Sequence, residues 1–138
     1  TIIGLAHEML NLTDYDTIMC YASKGDLKNI DLHIGDIAEN NIGFLNREYT
    51  ASNFGKIVET ATKEDLAAGI LNLTYQVIGM VSVFAAKSKN NDTIVVTGNG
   101  SKNLIGQRIL NSISKMYQIH FEFPVDAEYA TAIGAAKS

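Results

Sequence analysis

Residues 92–110, DTIVVTGNGSKNLIGQRIL, limit the fold of this chain more than any other stretch. Residues 93–97 are β-branched throughout and carry no charge. That is the pattern of a strand covered on both faces, as in a parallel sheet. Gly98, Asn99 and Gly100 end it. All three tolerate positive φ and allow a sharp turn with close approach of a ligand. Ser101 is placed to cap the helix that follows, which the apolar spacing carries to Gln118. In α/β folds ligands collect at the carboxyl end of such a strand. Gly98 and Asn99 are therefore candidate binding residues, although a purely structural turn would read the same way.

The flanking segments extend this unit. Thr62-Lys63-Glu64-Asp65 has the form of a capping box and starts a helix over residues 63–87. At 1.5 Å per residue it is roughly 38 Å long. Leu66, Ile70, Leu73, Val77, Val81 and Phe84 form one apolar stripe, and Ala67, Leu71, Ile78 and Ala85 a second beside it. So wide an arc exceeds what one sheet face requires. One side is expected to pack on the sheet and the other on a neighbouring helix, in this chain or a partner. Gly69 and Gly79 would permit close backbone approach. After the residue 92–118 segment come a strand over 119–123, Pro124, and an alanine-rich helix over 127–136 with Asp126 as its cap. Helix, strand, helix, strand, helix implies parallel pairing in an α/β layer fold.

The first 60 residues are more polar and broken by turns. A short helix is expected over residues 2–10. Thr13-Asp14-Tyr15-Asp16 resembles a capping box opening a second helix through Ala22, ended by Gly25. Ile30, Leu32, Ile34 and Ile37 suggest a short strand or an extended segment. Residues 39–46 read as a loop and residues 50–56 as a turn or one helical turn.

The remaining features mostly exclude functions. The length of 138 residues suits one domain, and a net charge of −4 without a Lys/Arg run argues against nucleic acid or an anionic membrane as partner. The apolar stretches look too interrupted to span a bilayer. Cys20 stands alone, so no internal disulfide forms. It fits a reducing, cytoplasmic setting and reads as a small core residue rather than a nucleophile. His7, His33 and His120 lack metal-ligand spacing, and no metal site is expected. Asp126 with Glu128, and Glu64 with Asp65, are best read as helix caps and first-turn charges. Three N-x-T triplets, at Asn11, Asn72 and Asn91, are read as chance. Thr1 opens straight into Ile2, Ile3, Gly4 and Leu5, which suggests the later part of a longer protein.

Several segments, in order along nearly the whole chain, resemble the C-terminal end of a type II pantothenate kinase. They are Gly4-Leu5, Thr13-Asp14-Tyr15, Gly25-Asp26, Ile30-Asp31-Leu32, Ala51-Ser52-Asn53-Phe54-Gly55, Lys63-Glu64-Asp65-Leu66-Ala67, residues 94–98 and Thr131-Ala132-Ile133-Gly134-Ala135. The resemblance implies an α/β fold, part of the second domain of an actin-like (ribonuclease H-like) ATPase, with helices on a short mixed or parallel sheet. It implies ATP and Mg²⁺ as cofactors, pantothenate as acceptor, and a homodimer through the long helix 63–87. By motif, Gly98 and Asn99 would meet the adenosine, Tyr15 would join the nucleotide pocket, and Thr1, Ile2, Ile3 and Gly4 would border the phosphates. Gly100 and Ser101 are smaller than the residues common in the family. The family's first phosphate loop and catalytic Glu would lie upstream, so residues 1–138 alone should be inactive and supply no catalytic group. The competing readings are another ATPase of the superfamily (a sugar kinase or a dehydratase activator) and a non-catalytic nucleotide-binding module. Asn53 and Gly55 could shape the cleft or simply form a turn.

Overall fold

The computed structural model describes residues 1–43 and 45–138. Phe44, inside the loop expected over 39–46, lies outside the described residues. The chain divides into two compact units, residues 1–74 and 75–138.

The first unit starts with α1, Ile2–Leu10, and α2, Tyr15–Ala22. Asp14, not Thr13, caps α2, because its carboxylate accepts from the Thr17 amide at 2.8 Å and hydroxyl at 2.6 Å. These bonds hold the Asp14 carboxyl below its ordinary value. The helix ends at Ser23 in the right-handed region. Gly25 serves a different need from the expected stop. A Cβ there would overlap the Glu64 carbonyl. Only Ile18 and Ala22 of α2 are buried, and Cys20 faces outward, which corrects its assignment to the core. A 3₁₀ turn, Leu27–Asn29, leads to β1, Leu32–His33, and α3, Ile34–Ile37. The residue 50–56 stretch is β2, Thr50–Ser52, antiparallel to β1, followed by the turn at Asn53 and Phe54.

α4 is Lys63–Ser88. Its capping box is reciprocal: the Thr62 amide donates to Asp65 Oδ2 at 2.9 Å and the Asp65 amide to Thr62 Oγ1 at 3.2 Å. In the first unit Ala67, Ala68, Ile70, Leu71 and Asn72 of this helix are buried. By length and composition α4 is apolar enough to cross a membrane, contrary to the expectation that no segment would be. Half of its most apolar window is nevertheless buried within the fold, as in a core helix. Asn72 of the second N-x-T triplet is only 3% exposed, so that asparagine sits inside the core.

In the second unit the buried side of α4 runs through Tyr75, Gly79, Val83 and Ala86. The two stripes read from the sequence therefore turn outward beyond residue 75. Val77, Ile78, Val81 and Phe84 are exposed. β3, Thr93–Val95, pairs in parallel with β4, His120–Glu122, as the element order requires. β3 is shorter than expected, and Val95 is exposed rather than covered on both faces. Instead of one mixed sheet, each unit has a two-stranded sheet of its own. α5, Leu104–Tyr117, packs against β4. Leu110 and Ile113 of α5 lie where a Cβ on Gly79 would stand, at 2.9 and 2.5 Å, so the absent side chain lets the helices close. A 3₁₀ turn, Ala127–Tyr129, and α6, Ala130–Lys137, end the chain. Asp126 precedes them with φ 58° and makes no side-chain cap bond. The expected cap role is thus backbone geometry only.

Candidate functional site

The turn after β3 is the most specifically built part of the second unit. The Val96 amide donates to the Glu122 carbonyl at 2.9 Å, which carries the parallel ladder one residue past β3. The chain then turns at Gly98, with φ 84° and ψ 173°. A Cβ there would meet no atom within 4 Å, yet the φ lies where L side chains are strained. Space beside this backbone is therefore open. The Gly98 amide donates to the Ala127 carbonyl at 2.9 Å, and the Gly98 carbonyl accepts from the Ser101 amide at 3.0 Å and hydroxyl at 2.7 Å.

Asn99 opens a 3₁₀ turn, Asn99–Lys102, and is exposed. That turn changes the expected cap. Ser101 lies buried inside it, and Asn103 caps α5 by accepting from the Gly106 amide at 2.8 Å. Tyr75 and Gln107 fix the turn from the core side. The Tyr75 hydroxyl donates to the Gly100 carbonyl at 2.9 Å, and Gln107 Nε2 to the Ser101 carbonyl at 2.7 Å. The opposite edge is tied by Lys102, whose ammonium pairs with Glu128 and lies 5.9 Å from the Tyr129 ring centre. The Glu128 bond raises the Lys102 value and lowers that of Glu128. Glu128, read from the sequence as first-turn charge, therefore has a specific partner.

The other sequence-predicted residues belong to the first unit. Thr1 precedes α1 without a side-chain cap bond, and Thr1, Ile3 and Gly4 are exposed while Ile2 is half-buried. Tyr15 is the first residue of α2 and 39% exposed; α1 and α2 touch. The seven candidate residues thus fall into two groups, Thr1, Ile2, Ile3, Gly4 and Tyr15 in one unit and Gly98 with Asn99 in the other.

Sequence reasoning missed a buried polar cluster in the first unit. Asp31 is wholly buried, and its carboxyl oxygens accept from the Phe54 amide at 2.8 Å and Asn72 Nδ2 at 2.6 Å. Thr50 Oγ1 and Asn53 Nδ2 approach it at 3.4 Å. Asn53 thus shapes this loop through Asp31. The signal available was an amide, Asn72, in the middle of the apolar arc of α4. A second carboxyl, Asp65, is 4% exposed. Burial opposes its ionisation, but bonds from the Asp26 and Thr62 amides and the Asn29 and Thr62 side chains outweigh that and hold it below its ordinary value. The same unit has an open cavity of about 690 Å³ whose lining includes Asp26, Lys28, His33, Asp36, Arg47 and Lys56. Lys56 bonds Asp36 at 2.7 Å and, with the His33 amide, holds that carboxyl low. Among the described residues no group of three or more His, Cys, Asp or Glu could hold a metal.

Asp65 gives a test of these electrostatics. Asp65→Asn turns an acceptor into a donor facing amide donors, and is expected to cost about 2 kcal/mol at pH 7. The folded-state value of Asp65 lies below the unfolded one. Its stabilisation is therefore present above about pH 4 and fades as pH falls through the folded-state value. Urea unfolding of both proteins at pH 7 and pH 3 should show the difference shrinking at the lower pH. A constant difference would remove the electrostatic account.

The Fumble family model matches residues 1–136. A type II pantothenate kinase of Bacillus cereus (strain ATCC 10987 / NRS 248) is 31% identical over 139 residues, covering 98% of this chain and 50% of that protein. The Bacillus anthracis protein of the same name is also 31% identical with the same coverage. That of Oceanobacillus iheyensis is 27% identical over 140 residues, covering 99% of this chain and 53% of its own length. The chain spans about half the length of the curated relatives it matches.

Proposed function

The chain belongs to the Fumble family, that of the type II pantothenate kinases, and on that footing we propose that it forms the nucleotide-side part of an ATP-dependent pantothenate kinase. The whole protein transfers the γ-phosphate of ATP to the 4′-hydroxyl of pantothenate, the first step of coenzyme A synthesis, in the cytoplasm. Residues 1–138 form the C-terminal portion of an actin-like second domain. Phosphoryl transfer relies on positioning and charge stabilisation more than on covalent chemistry from the protein, so such a part can matter without a catalytic side chain. Gly98 and Asn99 receive the adenosine, Tyr15 contributes to the nucleotide pocket, and Thr1, Ile2, Ile3 and Gly4 border the phosphates. Mg²⁺ arrives with the ATP phosphates, whose charge it neutralises during transfer. The exposed apolar residues Val77, Ile78, Val81 and Phe84 of α4 support a homodimer through that helix.

The observation that carries this reading is the match to type II pantothenate kinases along 98% of the chain. Transfer of labelled phosphate from ATP to pantothenate by the whole protein tests it. Label appearing on a sugar, or ATP hydrolysis indifferent to pantothenate, would replace it with one of the competing superfamily activities. Residues 1–138 alone should bind ATP and transfer nothing; turnover by that stretch would contradict the assignment of catalysis to other parts of the protein.

The turn gives a sharper check. Gly98→Ala keeps the side chain minimal but strains a backbone with φ 84°. A cost of about 1–3 kcal/mol at such a position, released by a shift of the turn, should raise the KM for ATP roughly tenfold. The KM for pantothenate should move far less. Equal rises in both would mean that the turn does not serve the nucleotide.

A further inference from the structure

The turn at residues 98–102 has an exposed edge, open beside Gly98, and its form is fixed by the segments around it. On the core side this is done by Tyr75, Ser101 and Gln107. The other edge meets the 3₁₀ turn Ala127–Tyr129, and three ties join the two. The Gly98 amide donates to the Ala127 carbonyl at 2.9 Å. The Lys102 ammonium bonds the Glu128 carboxylate and also sits over Tyr129. The pair is asymmetric: the Lys102 side chain is 62% exposed, but that of Glu128 only 8%. The bond joining the covered carboxylate to the ammonium is of the charge-assisted kind. An ordinary surface pair, exposed at both ends, would hold little.

We infer that Glu128 is a positioning residue which, through Lys102, holds the residue 98–102 turn in the form that receives nucleotide. This rests on the nucleotide reading of that turn. Glu128 itself touches the turn rather than the ligand. Lys102 has its charge committed to Glu128, and so acts as the clasp and not as a free phosphate contact. The Gly98–Ala127 backbone bond sets the distance between the two 3₁₀ turns, and the ion pair keeps their far ends in register.

The test uses the whole kinase and separate KM values for the two substrates. Glu128→Gln keeps the shape and removes the charge. The KM for ATP should rise about fivefold to tenfold, as expected for weakening one charge-assisted bond, while that for pantothenate stays within about twofold. The swapped pair, Lys102→Glu with Glu128→Lys, should return the KM for ATP to within about threefold of the parent. If Lys102 touched a phosphate directly, the swap would stay at least as weak as the worse single variant, and the inference would fail. It would also fail if Glu128→Gln left ATP affinity unchanged, or raised both KM values alike with a lower melting temperature. Should Glu128→Gln not fold, Lys102→Gln reads the same tie from its exposed end. Gly98→Ala separates the two levels. If it weakens ATP and Glu128→Gln does not, only the positioning role is lost. If neither affects ATP, the nucleotide reading falls and the positioning role with it.

Discussion

Replacing Asp31 with alanine is expected to destabilise the first unit by about 3–5 kcal/mol. The carboxyl is wholly buried and accepts from the Phe54 amide at 2.8 Å and Asn72 Nδ2 at 2.6 Å, with Thr50 and Asn53 at 3.4 Å. Alanine leaves the Phe54 amide without its acceptor, leaves Asn72 Nδ2 only its 3.2 Å bond to Thr50 Oγ1, and opens a small void. Each buried donor left unmade costs about 1–3 kcal/mol, a large share of the 5–15 kcal/mol typical of a whole domain. The cluster joins the residue before β1, β2 with the turn after it, and α4, so its loss should loosen all three together. Asp31→Asn should cost less, about 2–3 kcal/mol, because one oxygen can still accept while the new amide faces donors. The exchange of both groups, Asp31→Asn with Asn72→Asp, offers an internal control. With the two groups exchanged, the side-chain oxygen left at position 31 would accept from the Phe54 amide. The new nitrogen beside it would donate to the carboxylate now at position 72. The double variant should therefore recover more than half of the loss in urea unfolding. If the two single losses simply add, the cluster is not the coupled network these distances describe.

The parts of this fold that were legible in the sequence are those fixed by local chemistry. α1 begins and ends where its apolar pattern does. Thr62 and Asp65 bond each other's amides as their spacing requires. The parallel pairing of β3 and β4 follows from the helix between them. What stayed hidden depends on distant partners. β1 lies in the alternation of Ile30, Leu32 and Ile34 that marked an extended segment, but its partner β2, three residues long, has no such pattern to mark it. The buried place of Asp31 depends on Asn72, 41 residues later, which faces it. The helix start moved from Ser101 to Asn103 although both are good cap residues. Asn103 takes the role because residues 99–102 coil so that the Tyr75 hydroxyl reaches Gly100, a contact no local pattern encodes. Within the candidate site the same division holds. Gly98 was visible as a glycine after a strand, whereas the Lys102–Glu128 tie spans two segments and was not.

Gly106→Ala should have the second large effect, and it works by the opposite physics, too much volume rather than a missing bond. Gly106 is in the first turn of α5, its amide bonded to Asn103. The Tyr75 ring lies directly against its Cα, so that a Cβ would overlap three ring carbons. Tyr75 is 4% exposed and anchored by its hydroxyl to Gly100, and so cannot swing aside without giving up that bond. In an open helix, alanine would be favoured over glycine by about 0.5–1 kcal/mol. Here the overlap, at about 1–3 kcal/mol or more for an overpacked core, outweighs that gain. A net loss of about 2 kcal/mol is expected in urea unfolding of the second unit. The ring and the glycine should be coupled. In a Tyr75→Ala background the space is vacant, and Gly106→Ala should become neutral or stabilising by the helix-propensity term. Because displacement of the ring also frees the Gly100 carbonyl, Gly106→Ala alone should disturb the residue 98–102 turn as well. If the two substitutions are independent in a double-mutant cycle, the close approach of Tyr75 to α5 is not what makes glycine necessary at this position.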